Sequence, residues 1–121
     1  MLGDARHHLG RTGEALACEH LCRLGLRIVE RNYRTRWGEL DVIAFDGRTL
    51  VFCEVKTRRV GGVPLDAVHA RKQRQVRKMA MQWLHERSDR PHAANLRFDA
   101  IAVILGYDGR LVSLEHLEGA F

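Results

Sequence analysis

Two strand-like segments joined by a short polar link constrain the fold of this chain more than any other feature. Leu40–Phe45 and Leu50–Lys56 are rich in apolar residues, and the Asp46-Gly47 pair between them is typical of a tight β-hairpin. Much of each segment is apolar without alternation, as in strands that are covered on both faces. The sequence therefore predicts an antiparallel hairpin inside a sheet.

The remaining segments extend this hairpin into an α/β pattern. Apolar spacing predicts helices at Gly10–Leu24 and Ala67–Arg87, an irregular loop at Val60–Pro64, and further strands at Leu26–Tyr33, Leu96–Leu105 and Leu111–Leu117. The order helix, three strands, helix, two strands favours a mixed five-stranded central sheet with a helix on each face. The unbroken apolar run Ile101–Leu105 predicts that its strand is central and covered on both faces.

The first predicted helix has an acidic residue on its apolar side. Glu14 precedes Cys18 by one turn and therefore shares the inward face of the helix. A carboxylate in that position requires a partner or a function. The apolar positions that follow the helical period are Cys18, Leu21 and Cys22, and the stripe is extended by Ala15, Ala17 and Leu24.

Length and composition indicate one domain over residues 1–121. The 20 Lys and Arg residues exceed the 15 Asp and Glu residues, and the net charge of +5 favours a polyanionic partner such as nucleic acid. No stretch is apolar and long enough for a secretion signal or a transmembrane helix, so no membrane partner is expected. The three cysteines, an odd number, argue against a disulfide framework and favour a cytoplasmic protein.

Acidic residues and a lysine gather at one end of the predicted hairpin. Glu54 and Lys56 share a face because side chains two residues apart on a strand point the same way. A two-residue loop would place Asp41 diagonal to Glu54, and a four-residue loop would place the two directly opposite. Both arrangements put Asp41, Glu54 and Lys56 on one face, whereas a three-residue loop would separate them.

Two opposed carboxylates repel each other unless a cation lies between them. Mg²⁺ prefers one or two protein carboxylates and leaves positions for water and phosphate oxygens. The lysine can then orient a water or offset charge that develops on a phosphate, as in metal-assisted phosphodiester hydrolysis. The alternative is an ordinary cross-strand ion pair on a solvated face. The apolar flanks of both strands favour the site over the ion pair.

Several motifs give the chain a family resemblance. They are Gly13-Glu14, Arg31-Asn32, Gly38-Glu39-Leu40-Asp41-Val42-Ile43-Ala44, Val51-Phe52-Cys53-Glu54-Val55-Lys56-Thr57-Arg58, Arg97-Phe98-Asp99 and Glu115-His116-Leu117-Glu118-Gly119-Ala120-Phe121. Together they resemble the UPF0102 (YraN) family of small bacterial proteins over nearly the whole chain. That family in turn resembles the PD-(D/E)xK nucleases, which have a restriction-endonuclease-like fold close to that of the archaeal Holliday junction resolvases.

The resemblance implies a restriction-endonuclease-like fold and a Mg²⁺- or Mn²⁺-dependent endonuclease that cuts DNA, including branched or structured DNA. It places Asp41 and Glu54 at metal-ligand positions, Lys56 at the position of the catalytic lysine, and Glu14 at the acidic position of the first helix, where it binds the metal or its water. A resolvase-like cut of two strands would require a symmetric homodimer. The alternative function is a non-catalytic module that binds nucleic acid or a protein partner.

Four further polar positions lie near this cluster in the predicted fold. Glu39 shares a strand face with Asp41 and is a candidate to support the site. Lys72 and Gln73 open the second helix near the strand ends. Asp99 is either a structural hydrogen-bond acceptor or a contributor to the site.

The cysteines and histidines do not have the spacing of a metal site. Cys18 and Cys22 are interpreted as small residues of the helix core rather than as zinc ligands. The seven histidines are interpreted as surface or capping residues: His7, His8, His20, His69, His85, His92 and His116.

Basic side chains surround the acidic cluster in the predicted fold and suggest a surface that follows phosphates. Tyr33 and Trp37 are the aromatic residues there that suit base stacking, and the sequence contains no recognisable base-reading helix. Binding is therefore expected to depend on nucleic-acid structure rather than on base sequence. The basic residues are Arg27, Arg31, Arg34, Arg36, Arg58, Arg59 and those of the Arg71–Lys78 segment.

Overall fold

Helices and strands follow one another in the predicted order. The computed structural model describes residues 2–61 and 70–121. The elements are helix α1 (Leu2–Arg23), strands β1 (Arg27–Thr35), β2 (Gly38–Phe45) and β3 (Thr49–Arg59), helix α2 (Ala70–Glu86), and strands β4 (Asn95–Leu105) and β5 (Leu111–Leu117). The end of the predicted loop at Val60–Pro64 and the predicted helix start at Ala67 lie outside the described residues.

The five strands form one mixed sheet in the order β1-β2-β3-β4-β5. The strands β3 and β4 pair in parallel, from Thr49 opposite Asn95 to Arg59 opposite Leu105, and the other neighbours are antiparallel. The parallel pair follows from the connection through α2, because parallel neighbours require a crossover of a dozen or more residues. This α/β architecture confirms the predicted fold class and is consistent with a restriction-endonuclease-like fold.

Each face of the sheet carries its own hydrophobic core beneath one helix. On one face, Ala17, Cys18 and Leu21 of α1 pack against a cluster of sheet residues that includes Val51 and Cys53. On the other face, α2 packs against a second cluster. Its members are Val76, Met79, Ala80 and Trp83 of α2 with Tyr33, Leu40, Ile43, Leu50 and Phe52 of the sheet. The prediction of one helix per face is confirmed.

The β2–β3 hairpin has the four-residue form. Phe45 lies opposite Leu50, so residues 46–49 form the connection. The Asp46 Oδ1 atom accepts hydrogen bonds from the backbone N–H groups of Arg48 (2.8 Å) and Thr49 (2.7 Å). Gly47 has a φ of 100°, a left-handed conformation that glycine adopts without steric cost. Of the two loop lengths allowed by the sequence, the structure therefore selects the four-residue one.

Three predictions about the helices and β4 are wrong. Helix α1 begins at Leu2 rather than Gly10, since a single glycine within a helix costs only about 1 kcal/mol. Ala15, Cys22 and Leu24 are exposed, because the face that packs on the sheet is narrower than the predicted apolar stripe. The run Ile101–Leu105 alternates between buried and half-buried residues, so only one of its faces is fully covered. The middle strand is β3, and β4 lies beside it with neighbours on both edges.

Two smaller observations concern the membrane and redox predictions. In the described parts of the chain, no helix is long and apolar enough to cross a membrane. Cys18, Cys22 and Cys53 are all free thiols. Cys18 belongs to the helix core as predicted, whereas Cys22 does not.

A glycine in α1 allows the helix to lie directly on β3. A Cβ atom added at Gly13 would lie 2.7 Å from the Cβ of Thr57, closer than such atoms approach in proteins. Gly13 is buried. The next residue along the helix is Glu14, and the residue before Thr57 is Lys56. The close approach therefore brings α1 against β3 at the level of the predicted site.

Alanine substitutions at Gly13 and Gly10 are expected to change stability in opposite directions. Gly13→Ala overpacks the contact with Thr57 and should lower the free energy of unfolding by about 1–3 kcal/mol. At Gly10, an added Cβ meets no atom of the described structure within 4 Å. Gly10→Ala should therefore raise the free energy of unfolding by about 0.5–1 kcal/mol through helix propensity. Urea denaturation measures both. Stabilisation by both substitutions would show that α1 does not rest on Thr57.

Candidate active site

The predicted acidic pair meets where the β2–β3 ladder ends. The last pair of this ladder is Val42 with Cys53, and Asp41 and Glu54 are the next residues on the two strands. The backbone N–H of Val55 donates a hydrogen bond of 2.7 Å to Asp41 Oδ2. The Asp41 carboxylate thus takes the place that a backbone carbonyl of β2 would hold in a continued ladder. This contact fixes Asp41 beside β3.

Glu54 is a buried carboxylate held between two ammonium groups. Its side chain is 6% exposed, and its Oε1 lies 3.6 Å from Lys56 Nζ and 3.5 Å from Lys72 Nζ. Lys56 lies two residues further along β3, and Lys72 comes from the first turn of α2. The other oxygen, Glu54 Oε2, is buried and has no hydrogen-bond partner in the described structure. Buried carboxylate oxygens normally have such a partner, so this one requires an explanation.

The surroundings of Asp41 disfavour a second negative charge. Burial, and then the charge of Glu54, raise the pKa of the Asp41 carboxyl to about 8. The hydrogen bond from Val55 and the charge of the Lys72 ammonium lower the pKa of Asp41, whereas the charge of Glu14 raises it further. A second negative charge beside Glu54 is therefore unfavourable in this arrangement. A carboxyl with a strongly raised pKa next to a buried carboxylate is characteristic of functional sites.

Glu14 reaches the same region from α1 but is held by β1. Its side chain is 17% exposed, and its Oε1 lies 3.8 Å from Arg31 Nη2. The amide nitrogen of Asn32, with its side chain turned to satisfy both carboxylates, donates to Glu14 Oε1 at 2.7 Å and to Glu39 Oε1 at 3.1 Å. Glu39 also pairs with Arg34 at 3.6 Å. Glu39 is therefore linked to Glu14 through Asn32, and Glu14 acts on Asp41 through its charge.

The carboxylates of Asp41 and Glu54 are the oxygen donors that a divalent cation would meet at this site. In the described parts of the chain, no group of three or more Asp, Glu, His or Cys side chains is placed to hold a metal ion. Mg²⁺ needs only one or two protein carboxylates because waters complete its shell. Asp41 and Glu54 are such a pair, and the unpartnered buried Oε2 of Glu54 fits a cation ligand. The residues are compatible with the metal, and the ligand roles of Asp41, Glu54 and Glu14 stay predictions.

Two residues of this site were not assigned to it by the sequence. The sequence predicts only that Lys72 opens α2 near the strand ends, and its contact with Glu54 depends on where α2 packs. Asn32 belongs to one of the family motifs, and it has a φ of 55°. Left-handed backbone at a non-glycine residue is uncommon, and asparagine is enriched there. The sequence does show an asparagine within a run of charged strand residues. This pattern does not show that Glu14 and Glu39 are its hydrogen-bond partners.

Asp99 is a structural hydrogen-bond acceptor rather than a contributor to the site. It is fully buried and accepts two hydrogen bonds of 2.9 Å from the Arg97 guanidinium. The backbone N–H of Gly119 donates to it at 3.0 Å, and His116 Nε2 lies 2.8 Å from its Oδ2. Both carboxylate oxygens are therefore satisfied, in contrast to those of Glu54.

The surface interpretation of the histidines is wrong for His116. Its side chain is only 8% exposed, because it lies between Asp99 and His20. Its Nδ1 lies 3.0 Å from His20 Nε2. Since a carboxylate can only accept, His116 Nε2–H donates to Asp99, and the contact between His116 Nδ1 and His20 Nε2 shares one proton. This chain of contacts joins β4, β5 and α1.

Comparison with known proteins identifies the family. The model of the family described as "Uncharacterised protein family UPF0102" matches residues 13–103, about three quarters of the chain. The chain belongs to this family. The span that defines UPF0102 here contains Glu14, Asp41, Glu54 and Lys56, so all four predicted site residues lie within it. The predicted resemblance to UPF0102 is confirmed.

UPF0102 proteins from several bacteria are similar to the chain over nearly its whole length. The protein from Geobacter sulfurreducens is 48% identical over 126 residues, which cover 99% of this chain and 95% of that protein. The protein from Geotalea daltonii is 50% identical over 115 residues, covering 93% and 88%. The protein from Rhodococcus opacus is 46% identical over 115 residues, covering 93% and 95%.

Proposed function

We propose that this protein is a divalent-metal-dependent phosphodiesterase that acts as an endonuclease on DNA. The observation that carries the proposal is the environment of Glu54. This buried carboxylate acts on Asp41 through its charge, its Oε1 lies within 3.6 Å of two lysines, and its Oε2 has no hydrogen-bond partner in the described structure. A structural ion pair would satisfy both oxygens, as Asp99 does. A carboxylate that binds a metal ion instead keeps one oxygen free of protein partners, as Glu54 Oε2 is in the described structure.

The side chains have distinct parts in the proposed reaction. Asp41 and Glu54 would hold a Mg²⁺ or Mn²⁺ ion, with Glu14 acting on the ion or its water, and the ion would polarise the phosphate and the attacking water. Lys56 is half-exposed, so its ammonium can reach both a bound phosphate and a water while it stays near Glu54. It would orient that water and offset the negative charge of the transition state. Hydrolysis adds the water oxygen to phosphorus and breaks one phosphodiester bond.

The charge of the surface supports a nucleic-acid substrate. Helix α2 carries Arg71, Lys72, Arg74, Arg77 and Lys78 and has no acidic residue before Glu86. Such a face attracts a phosphate backbone without reading its bases. Lys72 belongs to this face and also touches Glu54, so the basic surface leads into the acidic pair. Branched or otherwise structured DNA suits a protein that recognises shape rather than sequence.

The test is a cleavage panel. The purified protein is incubated with duplex, single-stranded, flap and four-way DNA and with RNA, in Mg²⁺ or Mn²⁺, with EDTA controls. We expect cleavage of at least one DNA substrate that EDTA abolishes and that Lys56→Met lowers by about 10²–10³-fold. Arg110→Met is the control, because it removes one positive charge from an exposed turn residue. No cleavage of any substrate, or equal cleavage by Lys56→Met, would overturn the proposal.

A second candidate function rests on the basic face of α2 alone. In this case the protein binds nucleic acid without cutting it. Binding would then weaken steeply with salt and be the same for the wild type and for Glu54→Gln, and the panel would show no cleavage.

Since a resolvase-like cut needs two copies of the chain, the oligomeric state on each substrate is measured in the same experiments.

A further inference from the structure

An open groove lies beside α2 at the turn between β1 and β2. Its volume is about 500 Å³, and Trp37 of the turn forms one wall. The indole is half-buried, so part of the ring is accessible from the groove. The other wall is the outer face of α2. The lining residues are Trp37, Arg77, Lys78, Met81, Gln82 and His85, none of which is acidic.

Cations surround the Trp37 ring. The guanidinium of Arg36 lies over it with its Cζ 4.5 Å from the ring centroid, and Lys78 Nζ lies 5.8 Å from the same centroid. Arg36 is exposed and comes from the turn itself. Its stacking demonstrates that the ring accepts a planar group on the side where Arg36 lies. A nucleobase is a planar group of the same kind, and the Arg36 guanidinium would then be free to bind a phosphate.

The other aromatic candidate of the sequence analysis is not available for stacking. Tyr33 is 5% exposed, and its hydroxyl donates a hydrogen bond of 2.6 Å to Glu86. Phe98 and Phe121 pack against each other with ring centroids 5.6 Å apart, and neither lines the groove. Trp37 is therefore the aromatic side chain of this face with a groove beside it.

Two elements lead from the groove to the acidic pair. Trp37 precedes Asp41 by four residues, a distance of about 13 Å along β2. Lys78 follows Lys72 by six residues, about 9 Å along α2, and Lys72 touches Glu54. A short length of nucleic-acid backbone that runs along α2 can therefore reach both places at once.

We propose that Trp37, with Arg36 and Lys78, stacks an unpaired base of the substrate, so that the DNA cut by this protein carries a single-stranded segment next to the cleaved bond. This inference rests on the proposed function for the identity of the polymer. The cationic setting favours a polyanion over an apolar peptide, and the planar ring favours a base over a bare phosphate. Base stacking on an aromatic side chain is tolerant of sequence, in agreement with the lack of a base-reading helix.

Tryptophan fluorescence tests the stacking without any cleavage. The protein has two tryptophans. Trp83 is 1% exposed and donates a hydrogen bond of 2.9 Å to Glu30, so Trp37 is the residue that a ligand can quench. The titration uses oligothymidylate and a duplex of equal length in EDTA. We expect quenching of the wild type by the single strand. Because Trp37→Ala lacks the reporting indole, affinities are compared by the fluorescence anisotropy of dye-labelled DNA, and Trp37→Ala should bind the single strand about tenfold more weakly with its duplex affinity unchanged.

Further variants keep the result independent of folding and of catalysis. Trp37→Phe should retain most of the affinity, and Lys78→Gln should lower the salt slope of single-strand binding by about 0.7. Tyr107→Ala, which removes an aromatic side chain that is 82% exposed elsewhere, should change neither. Each titration is repeated in Glu54→Gln, where stacking should persist whether or not the protein cleaves DNA.

Three results would overturn the stacking proposal. The first is no quenching by the single strand, and the second is an equal loss of single-strand and duplex affinity in Trp37→Ala. The third is Trp37-dependent binding of a polyglutamate peptide at the affinity of oligothymidylate, which would assign the groove to an acidic protein partner. If stacking is observed but the cleavage panel is negative, the binding site stands and only the proposed hydrolysis fails.

Discussion

Glu54→Gln is expected to lower metal-dependent DNA cleavage by roughly a thousandfold. Glutamine has the shape of glutamate but no charge, so it cannot balance a divalent cation or hold Lys56 in place as an ion pair. Loss of metal-based charge stabilisation is worth several kcal/mol, and each 1.4 kcal/mol is a factor of ten in rate. The rate is measured on the best substrate of the panel at saturating Mg²⁺ or Mn²⁺.

The same substitution should leave the protein at least as stable as the wild type. It removes a charge from a buried oxygen without a hydrogen-bond partner in the described structure, and it relieves the repulsion on Asp41. Lys56 and Lys72 remain 47% and 31% exposed, so neither is left as a desolvated charge.

The response to metal separates a catalytic role of Glu54 from a structural one. Mg²⁺ at 100 times its Kd should stabilise the wild type by about 2.7 kcal/mol but should not stabilise Glu54→Gln. Glu19→Gln, at an exposed position of α1, is the matched control and should behave as the wild type. Wild-type cleavage by Glu54→Gln would remove Glu54 from the site. A strongly lowered melting temperature would instead make Glu54 a structural residue.

The sheet and the acidic pair were predictable because they depend on local patterns. Strand alternation and an even hairpin loop are sufficient to bring Asp41 and Glu54 to one face, and neither requires knowledge of distant contacts. The helix on each face followed from the order of elements. The N-terminal extent of α1 was not predictable from the sequence. Gly10 and the polar residues before it resemble the start of a helix, and no sequence pattern shows that the helix already begins at Leu2.

The partners of the site were not predictable because they depend on how elements dock. Lys72 contacts Glu54 only because α2 packs with its first turn beside the middle of β3. Asn32 joins Glu14 to Glu39 only because α1 lies against the sheet close enough for Gly13 to contact Thr57. His116 meets Asp99 through the register of β5 on β4, in which His116 lies opposite Ile101.

Asp99→Ala is expected to destabilise the protein by about 3–5 kcal/mol, the cost of removing one partner from a buried charge pair. The substitution leaves the Arg97 guanidinium, the His116 ring and the Gly119 N–H without their acceptor. For a chain of this size the melting temperature should fall by roughly 10–20 °C. Asp89→Ala, at an exposed loop position, is the control and should change stability by no more than about 0.5 kcal/mol.

The Asp99 contacts also predict how stability depends on pH. Burial raises the pKa of Asp99, but the hydrogen bonds from Arg97, Gly119 and His116 outweigh it and hold the pKa below its usual range. The stability that Asp99 contributes is therefore complete above the unfolded value of about 3.9 and is lost as pH falls through the lower folded value. Burial, with the charges of His116 and Arg23, lowers the pKa of His20. The unfolded chain therefore takes up that proton first, and stability begins to fall below about pH 6.5.

Two variants separate these acid effects in denaturation experiments from pH 3 to pH 8. His20→Gln should remove the decrease in stability that begins below about pH 6.5 and keep the one below about pH 4. Asp99→Asn, which also breaks the pairing with Arg97, should be less stable at neutral pH and lose less stability than the wild type below about pH 4. Parallel curves for Asp99→Asn and the wild type would show that Asp99 has the same pKa in both states and that its hydrogen bonds only offset its burial.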